Sequence, residues 1–256
     1  MFNILFVLIF VYNEGYSSAG PPQKLVFPAD TTLDNYVLLR PDLTKAQDSI
    51  TVCSWVKPFV QDSGDQYWFS YGASTSQDNE ILLGDRTKQA HLFGDAMEGA
   101  EMIQLNVWSH MCLTWSKVSR IKQFYLNGAL VSSETTPEGR QLLLGGTLVL
   151  GQEQDSPGGT FDINQSFGGE IYETNILGRD LSGEEIWRIH QAGLCFPLSG
   201  YSQDLVVGWT DILQAQRSGA VTAAAVGCHR WDLLKSFIGQ EITEQLIGHL
   251  KNYHMD

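Results

Sequence analysis

The sequence is poor in positive charge. Its 256 residues include 16 Lys and Arg against 29 Asp and Glu, which gives a formal net charge of −13. A protein that binds nucleic acid or an anionic membrane through a basic face needs the opposite balance, so the composition argues against that class. Solubility explains most of the excess of carboxylates. A sharper hypothesis is that some of them converge on a cation such as Ca²⁺.

Long hydrophobic runs are absent except at the N-terminus, where Met1 to Tyr12 are nearly all apolar. This run is too short to cross a bilayer but has the length of a signal-peptide core. Ser17 and Ala19 fit the small residues before a cleavage site, although no Lys or Arg precedes Lys24. We therefore predict a signal peptide over residues 1–19 and a secreted, extracellular chain. The alternative is a buried N-terminal strand.

Cysteine is scarce, and no Cys-x-x-Cys motif occurs, so a zinc site ranks low. The four cysteines are Cys53, Cys112, Cys195 and Cys228. An even number in a secreted chain predicts two disulfides, and four cysteines allow three connectivities. The pairing of sequence neighbours, Cys53 with Cys112 and Cys195 with Cys228, is the local one. A bridge between two strands is expected to join one sheet to the other.

The body of the chain has the patterns of β structure. Residues 48–57 and 110–115 alternate between two faces, as strands do. Asn127-Gly128 supplies the positive-φ pair of a hairpin turn. Leu142–Leu144, a Gly-Gly turn and Thr147–Leu150 suggest strand, turn, strand. Turn signals recur over residues 24–180, which indicates an all-β sandwich or jelly roll.

Two helices are predicted after this β region. Ser182 and Glu185 form a capping box at the start of the first, and Gly193 can end it. The second is an amphipathic C-terminal tail over residues 229–256, which packs on its own domain or forms a contact with another chain. Its apolar stripe consists of Trp231, Leu234, Ile238, Ile242, Leu246 and Leu250.

Two acidic clusters carry the candidate chemistry. The first spans residues 77–80, with Asp78 and Asn79, and Glu80 in support. The second is a Gly- and Pro-containing loop over residues 151–165. Carboxylate, amide and carbonyl oxygens suit Ca²⁺, whereas softer metals need the His or Cys that this loop lacks. The alternative is a solvated acidic loop, because Asp, Asn and Gly also dominate ordinary turns.

The chain resembles the pentraxin family from about Lys24 to Cys228, because three motifs of that family occur here in the same sequence order. Residues 110–115 match the signature His-x-Cys-x-Ser/Thr-Trp. Residues 150–156 with 165–167 match the family's calcium loop, and residues 77–82 match its other calcium segment. We therefore take residues 20–228 as a pentraxin domain.

The resemblance implies a flattened antiparallel β jelly roll, the concanavalin-like lectin fold, with one long helix near residues 182–192. It implies a Cys53–Cys112 disulfide and two adjacent Ca²⁺ ions on one face. The first ion would be held by Asp78, Asn79, Glu153, the carbonyl of Gln154 and Asp155. The second would be held by Glu153, Asp155, Asp162 and Gln165.

The family's ligands are phosphocholine, phosphoethanolamine and acidic or pyruvylated sugars, and its partners include microbial surfaces and complement components. The resemblance also implies a homo-oligomer, usually a ring of five. Gly84 stands where some members have a bulky aromatic residue that packs on the methyl groups of choline. A Cys195–Cys228 pair resembles the second cysteine pair of some members. The sequon at Asn164 lies in the calcium loop and is expected to be unmodified.

Two other functions compete with calcium-dependent recognition. Jelly-roll β-glucan hydrolases have a motif that resembles Glu-x-Asp-x-x-Glu, in which two carboxylates flank the bond that is cleaved. This chain has Glu153 and Asp155, but Gly158 stands in place of the last Glu. We therefore expect no enzyme activity. The remaining alternative is a structural or adhesion module that works without calcium.

Overall fold

The structure is a computed structural model that describes residues 21–60, 64–85, 90–97, 103–194 and 201–227. The predicted signal peptide and the predicted C-terminal helix lie outside these ranges. Cys195 and Cys228 also lie outside them, so the second disulfide stays a prediction.

The fold is a sandwich of two antiparallel sheets, which confirms the all-β jelly-roll prediction. The strands are β1 (Gln23–Phe27), β2 (Tyr36–Leu39), β3 (Ser49–Pro58), β4 (Tyr67–Gly72), β5 (Ile81–Gly84), β6 (Ala90–Leu92), β7 (Asp95–Met97), β8 (Ser109–Ser116), β9 (Ile121–Leu126), β10 (Ala129–Thr135), β11 (Thr147–Leu150), β12 (Gly169–Leu177), β13 (Leu205–Val207), β14 (Gln216–Ser218) and β15 (Thr222–Ala225). The eight-stranded sheet has the order β10-β9-β8-β3-β12-β1-β15, with β13 paired to β12. The seven-stranded sheet has the order β14-β2-β11-β4-β5-β6-β7.

The two sheets enclose one large hydrophobic core. Phe27, Trp115 and Tyr172 enter it from the eight-stranded sheet, and Trp68 and Tyr71 enter it from the seven-stranded sheet. All five side chains are almost fully buried. Burial of a large apolar side chain contributes about 1.5–3 kcal/mol, so the burial of these five side chains stabilises the sandwich.

The described disulfide lies within one sheet, so the expectation that it joins the two sheets is wrong. Cys53 on β3 and Cys112 on β8 are direct partners across neighbouring strands, with Cα atoms 4.2 Å apart. Directly opposite residues of an antiparallel pair project to the same face, which brings their sulfurs together. The pair Cys53–Cys112 itself, implied by the family resemblance, is confirmed.

Local sequence signals place the hairpin and the first helix correctly. Asn127 and Gly128 both have positive φ and connect β9 to β10. Helix α1 (Gly183–Ala192) begins after Ser182 with both bonds of the capping box and ends at Gly193, whose φ is 79°. A short helix α2 (Trp209–Gln214) was not predicted. Among the described residues, no helix has the length and apolar character needed to cross a membrane.

The predicted strand over Leu142–Leu144 is absent. Leu142 is fully buried, which explains the apolar run. The backbone of Leu143 finds side-chain partners instead of a strand: its N–H donates to Glu80 Oε2 at 3.1 Å, and its carbonyl accepts from Tyr71 Oη at 2.8 Å. Side chains therefore satisfy the backbone groups of Leu143, which need no strand partner.

Candidate metal centre

The two acidic segments approach each other because the long loop after β11 folds back. β11 pairs with β4, and β4 pairs with β5, so the short acidic segment between β4 and β5 lies at the end of this strand group. The side-chain nitrogen Nε2 of Gln154 donates to the backbone carbonyls of Ser70 and Thr147, both at 2.9 Å. These bonds fix the long loop against β4 and β11.

Buried contacts fix the start of this loop. Gly151 has φ of 91°, and a Cβ atom there would lie 2.3 Å from Phe27 Cε1, so only glycine fits. The side-chain Nε2 of Gln152 donates to Thr32 O at 2.8 Å, and its side-chain Oε1 accepts from Ser166 Oγ at 2.7 Å. The backbone that carries the candidate ligands is therefore built into the fold.

Glu153 is the buried centre of the acidic group. It is 2% exposed, whereas Asp155 and Asp162 are exposed and Asp78 is partly buried. Burial first, and then the negative charges of its neighbours, raises the pKa of the Glu153 carboxyl to about 7. Those neighbours are, in order of effect, Asp155, Asp78 and Asp162. The structure thus brings four predicted acidic ligands into one electrostatic group.

Two buried oxygens in this group accept no hydrogen bond within the described part of the chain. They are Glu153 Oε2 and Asn79 Oδ1. A buried carboxylate or amide oxygen without a partner is costly, and a bound cation would supply one. Carboxylate and amide oxygens are the donors that Ca²⁺ takes. The residues present therefore fit a calcium site.

The remaining predicted ligands occupy the same loop. The side chain of Gln154 is used in the loop anchor, since its Oε1 also accepts from Gly158 N at 2.7 Å. The side chain of Gln154 thus serves the loop anchor, and the family resemblance implies its backbone carbonyl as the metal ligand. Asp162 Oδ1 accepts from Asn164 N at 3.0 Å and from Asn164 Nδ2 at 2.9 Å. Gln165 follows in the same 3₁₀ turn, Ile163–Gln165, and is partly buried.

Glu80 does not support this group. It is buried, and its carboxylate accepts from the Leu143 backbone at 3.1 Å. Burial raises the pKa of Glu80, an effect that the Leu143 bond and the charge of Arg140 oppose. Its role is to hold the Leu143 segment.

The sequence analysis did not single out Tyr67, Asp65 or His91, which lie beside the site. Burial raises the pKa of the Tyr67 phenol, and nearby carboxylates, beginning with Asp65 and then Glu153, raise it further. Tyr67 lies opposite Gly84 across β4 and β5, and its hydroxyl lies 3.3 Å from His91 Nε2. The sequence shows Tyr67 in the strand that precedes Gly84. The contact between the two residues becomes clear only from the register of β4 with β5.

A second cluster resembles a metal site but is closed by the disulfide. Cys53, His110 and Cys112 form the one described group of three His, Cys, Asp or Glu side chains with ligand atoms within 4.8 Å of one another. Both sulfurs are bonded to each other, so they are not free thiolates. Burial, and then the charge of His190, lowers the pKa of His110 to about 3, so its imidazole is neutral.

Comparison with known proteins agrees with this architecture. A model of the Pentaxin family matches residues 23–223. Mucosal pentraxin of Rattus norvegicus is 32% identical over 183 residues, covering 70% of this chain and 82% of the relative. C-reactive protein of Sus scrofa is 32% identical over 197 residues, covering 75% and 86%. The crystal structure of a native heptameric SAP-like pentraxin from Limulus polyphemus has a TM-score of 0.66 and 22% identity, covering 82% of this chain and 98% of that one.

The two-sheet sandwich with acidic loops against one sheet defines a jelly-roll domain of the kind that lectins use. The family match extends over most of the chain, and the mucosal pentraxin and the C-reactive protein named above are each 32% identical to it. The chain belongs to the pentraxin family.

Proposed function

We propose that this chain is a secreted, calcium-dependent recognition lectin that binds phosphoryl-amine head groups or acidic sugars. The observation that carries the proposal is the buried Glu153 carboxylate, whose Oε2 accepts no hydrogen bond in the described residues and which lies among three further acidic side chains. Such a group is stable near neutral pH when a cation compensates it. Family membership supports the same conclusion.

The proposed ligand sets are those that the family resemblance implies, and the electrostatic grouping of the acidic residues supports them. Glu153 is central to the group, and Glu153 and Asp155 would each contribute to both Ca²⁺ ions. The first ion adds Asp78, Asn79 and the Gln154 carbonyl. The second adds Asp162 and Gln165. Calcium prefers six to eight oxygens, so positions remain for oxygens of an anionic ligand.

The compartment and the assembly belong to the same proposal. The Cys53–Cys112 bond is typical of an oxidising compartment, which agrees with the predicted signal peptide. The Limulus relative is heptameric, and we propose that this chain also forms a closed homo-oligomer. Its subunit number, five or another, is to be measured by mass in solution. Complement-type proteins are proposed as further partners.

Two measurements on the purified chain test the proposal. Calorimetric titration with Ca²⁺ is expected to show two ions per chain. A phosphoethanolamine resin is expected to retain the protein in Ca²⁺ and release it with EDTA. Retention that EDTA does not reverse would contradict calcium-dependent recognition. A folded chain that binds no Ca²⁺ would instead favour the calcium-independent adhesion module.

A further inference from the structure

The turn between β6 and β7 holds the main chain of the candidate ligand Asn79. It consists of two residues, Phe93 and Gly94. The Gly94 amide donates to the Asn79 carbonyl at 2.8 Å. The Phe93 amide donates to the next carbonyl, that of Glu80, at 2.9 Å. One hairpin therefore fixes two successive carbonyls in the segment that carries Asn79.

Contacts with the hydrophobic core hold this turn in an uncommon conformation. Phe93 has φ of 58° and Gly94 has φ of 79°, the positive pair of a tight hairpin turn. A bulky residue seldom adopts positive φ, and such a conformation persists only where the surrounding structure determines it. Phe93 is 8% exposed, and its ring meets the buried Trp115 edge to face with centroids 5.0 Å apart. The core thus sets the position of the turn, and the turn sets the position of the Asn79 carbonyl.

A side-chain bond fixes the same segment a second time. The buried Glu80 carboxylate accepts from Leu143 N at 3.1 Å. The Leu143 carbonyl accepts from Tyr71 Oη at 2.8 Å, and the same hydroxyl oxygen accepts from Gly146 N at 3.1 Å. Tyr71 is a direct partner of Ile81 across β4 and β5. Glu80 is thus connected through Leu143 to the two strands that flank the acidic segment.

The side chain beside these two restraints has an oxygen without a partner. Asn79 Oδ1 is buried and accepts no hydrogen bond among the described residues. The main chain of Asn79 is held by Gly94, and the next residue is held by Phe93 and Leu143. A buried polar atom without a partner is costly, and an amide oxygen suits Ca²⁺. The fold therefore keeps this oxygen in place for a group outside the chain.

We propose that Glu80 and the Phe93-Gly94 turn are positioning elements for the first Ca²⁺ ion, the one assigned to Asn79, and that they set its affinity by holding Asn79 Oδ1 in place. This inference rests on the proposed function, which supplies the ion. Glu80 is not a ligand in this assignment and acts through the peptide bond that joins it to Asn79. Groups that orient a direct ligand commonly contribute about 10–100-fold to metal affinity.

Calorimetric titration of the full chain with Ca²⁺ tests the role of Glu80. Glu80→Leu removes the acceptor of Leu143 N and should weaken binding of the first ion by about tenfold or more. Glu80→Gln keeps a side-chain oxygen for that amide and should recover most of the lost affinity. An equal loss in both variants would mean that the charge of Glu80 acts rather than its bond, and this result would overturn the positioning role.

Gly94→Ala tests the turn without a change in packing. A Cβ atom at Gly94 would have no heavy atom within 4 Å beyond its chain neighbours, so the substitution strains only the positive φ. It should weaken binding of the first ion by about threefold, as for the loss of one hydrogen bond. Gly193→Ala at the end of α1 is the matched control, with the same φ of 79° and the same free space. An equal loss of Ca²⁺ affinity in both variants would contradict a specific role of the turn.

Non-additivity distinguishes positioning from a general loss of stability. In Asn79→Ala the ligand oxygen is already absent, so adding Glu80→Leu should weaken Ca²⁺ binding no further than Asn79→Ala alone. A merely structural role of Glu80 would instead give losses that add. Full additivity of the two substitutions would therefore overturn the inference.

The outcomes also separate this inference from the proposed function. Thermal unfolding without metal establishes that each variant is folded, and Gly94→Ala carries the test if Glu80→Leu does not fold. If the wild-type chain binds two Ca²⁺ ions and the folded variants bind them equally tightly, the positioning role is overturned and the calcium site stands. If the folded wild-type chain binds no Ca²⁺, both proposals fall.

Discussion

The area beneath helix α1 and the candidate metal centre both contain buried polar atoms, but they differ in charge. Beneath α1, the disulfide-bonded Cys53 and Cys112 pack in one cluster with Ile186 of the helix. The neighbouring His110 has a buried Nδ1 without a hydrogen-bond partner in the described residues. That imidazole is neutral, because its pKa is lowered to about 3. At the metal centre the charged atom without a partner belongs to Glu153, whose pKa of about 7 leaves it substantially ionised near neutral pH.

This difference in charge gives the two regions different costs of burial. A neutral unpaired nitrogen costs a modest amount of stability that the rest of the core can offset. A buried carboxylate among like charges costs more unless a cation joins it. The area beneath α1 contains a neutral nitrogen without a partner, whereas the metal centre contains a carboxylate that the proposed calcium ions would compensate. The comparison predicts that substitutions should separate calcium binding from stability.

The largest expected effect is the loss of calcium binding in Asp155→Ala. Asp155 has the largest effect on the Glu153 pKa of the three neighbouring carboxylates, and we propose that it bridges both ions. Its removal should weaken Ca²⁺ binding by about 100-fold or more and abolish ligand retention, because a direct ligand of both ions is lost. Calorimetric titration measures the affinity, and the thermal unfolding temperature without metal should not fall.

Asp48→Ala is the matched control. It removes the same charge from an exposed side chain that pairs with Lys117 at 2.7 Å, far along the sequence from both acidic segments. Its Ca²⁺ affinity should equal that of the wild-type chain. If Asp155→Ala also binds Ca²⁺ normally, the ligand assignment is wrong.

The converse effect is expected from the disulfide. Cys53→Ala with Cys112→Ala should cost about 2–5 kcal/mol of unfolding free energy, as the loss of a native disulfide commonly does. Denaturant unfolding measures this cost. Ca²⁺ affinity in the folded variant should be unchanged, because the bridge lies in the eight-stranded sheet and the acidic group lies against the seven-stranded one. Unfolding that matches the wild-type chain would show that the bond does not form in solution.

The features that the sequence predicted well depend on residues close to one another in the chain. The Asn127-Gly128 turn and the Ser182 capping box are set by local backbone preferences, so short motifs identify them. The supposed strand at Leu142–Leu144 failed because its partners, Glu80 and Tyr71, are distant in sequence. The disulfide pair was implied correctly, but its position within one sheet depended on the pairing of β3 with β8.

The candidate site shows the same limit. Motif positions identified Asp78, Glu153, Asp155 and Asp162, and the structure groups their charges. The contact of Tyr67 with Gly84 and His91 depends on the register of three strands, which composition and spacing do not reveal. Burial of Glu153, which gives the site its electrostatic character, likewise follows from how the loop folds back.

A pH experiment sharpens the contrast at His110. Its pKa is near 6.5 in the unfolded chain and about 3 in the folded chain, so between these values the unfolded state binds more protons. Its contribution to stability is therefore complete above about pH 6.5 and is lost as the pH falls toward 3. His110→Gln should reduce the slope of unfolding free energy against pH in this window, measured by denaturant unfolding in metal-free buffer. His190, whose pKa burial also lowers, should account for part of the slope that remains. A slope unchanged by His110→Gln would contradict the buried neutral imidazole.

The smallest expected effect concerns the cap of helix α1. Ser182 Oγ accepts from the Glu185 amide at 3.3 Å, and Ser182→Ala removes this acceptor at a typical cost of about 1 kcal/mol. The cost should not be larger, because the Glu185 carboxylate still accepts from Ser182 N at 2.9 Å and from Arg179. Denaturant unfolding measures it against Ser202→Ala, a serine that is exposed outside any helix or strand. Ca²⁺ affinity should be equal in both variants. A change in Ca²⁺ affinity in Ser182→Ala alone would show that the α1 side and the metal centre are coupled, against the separation on which the comparison rests.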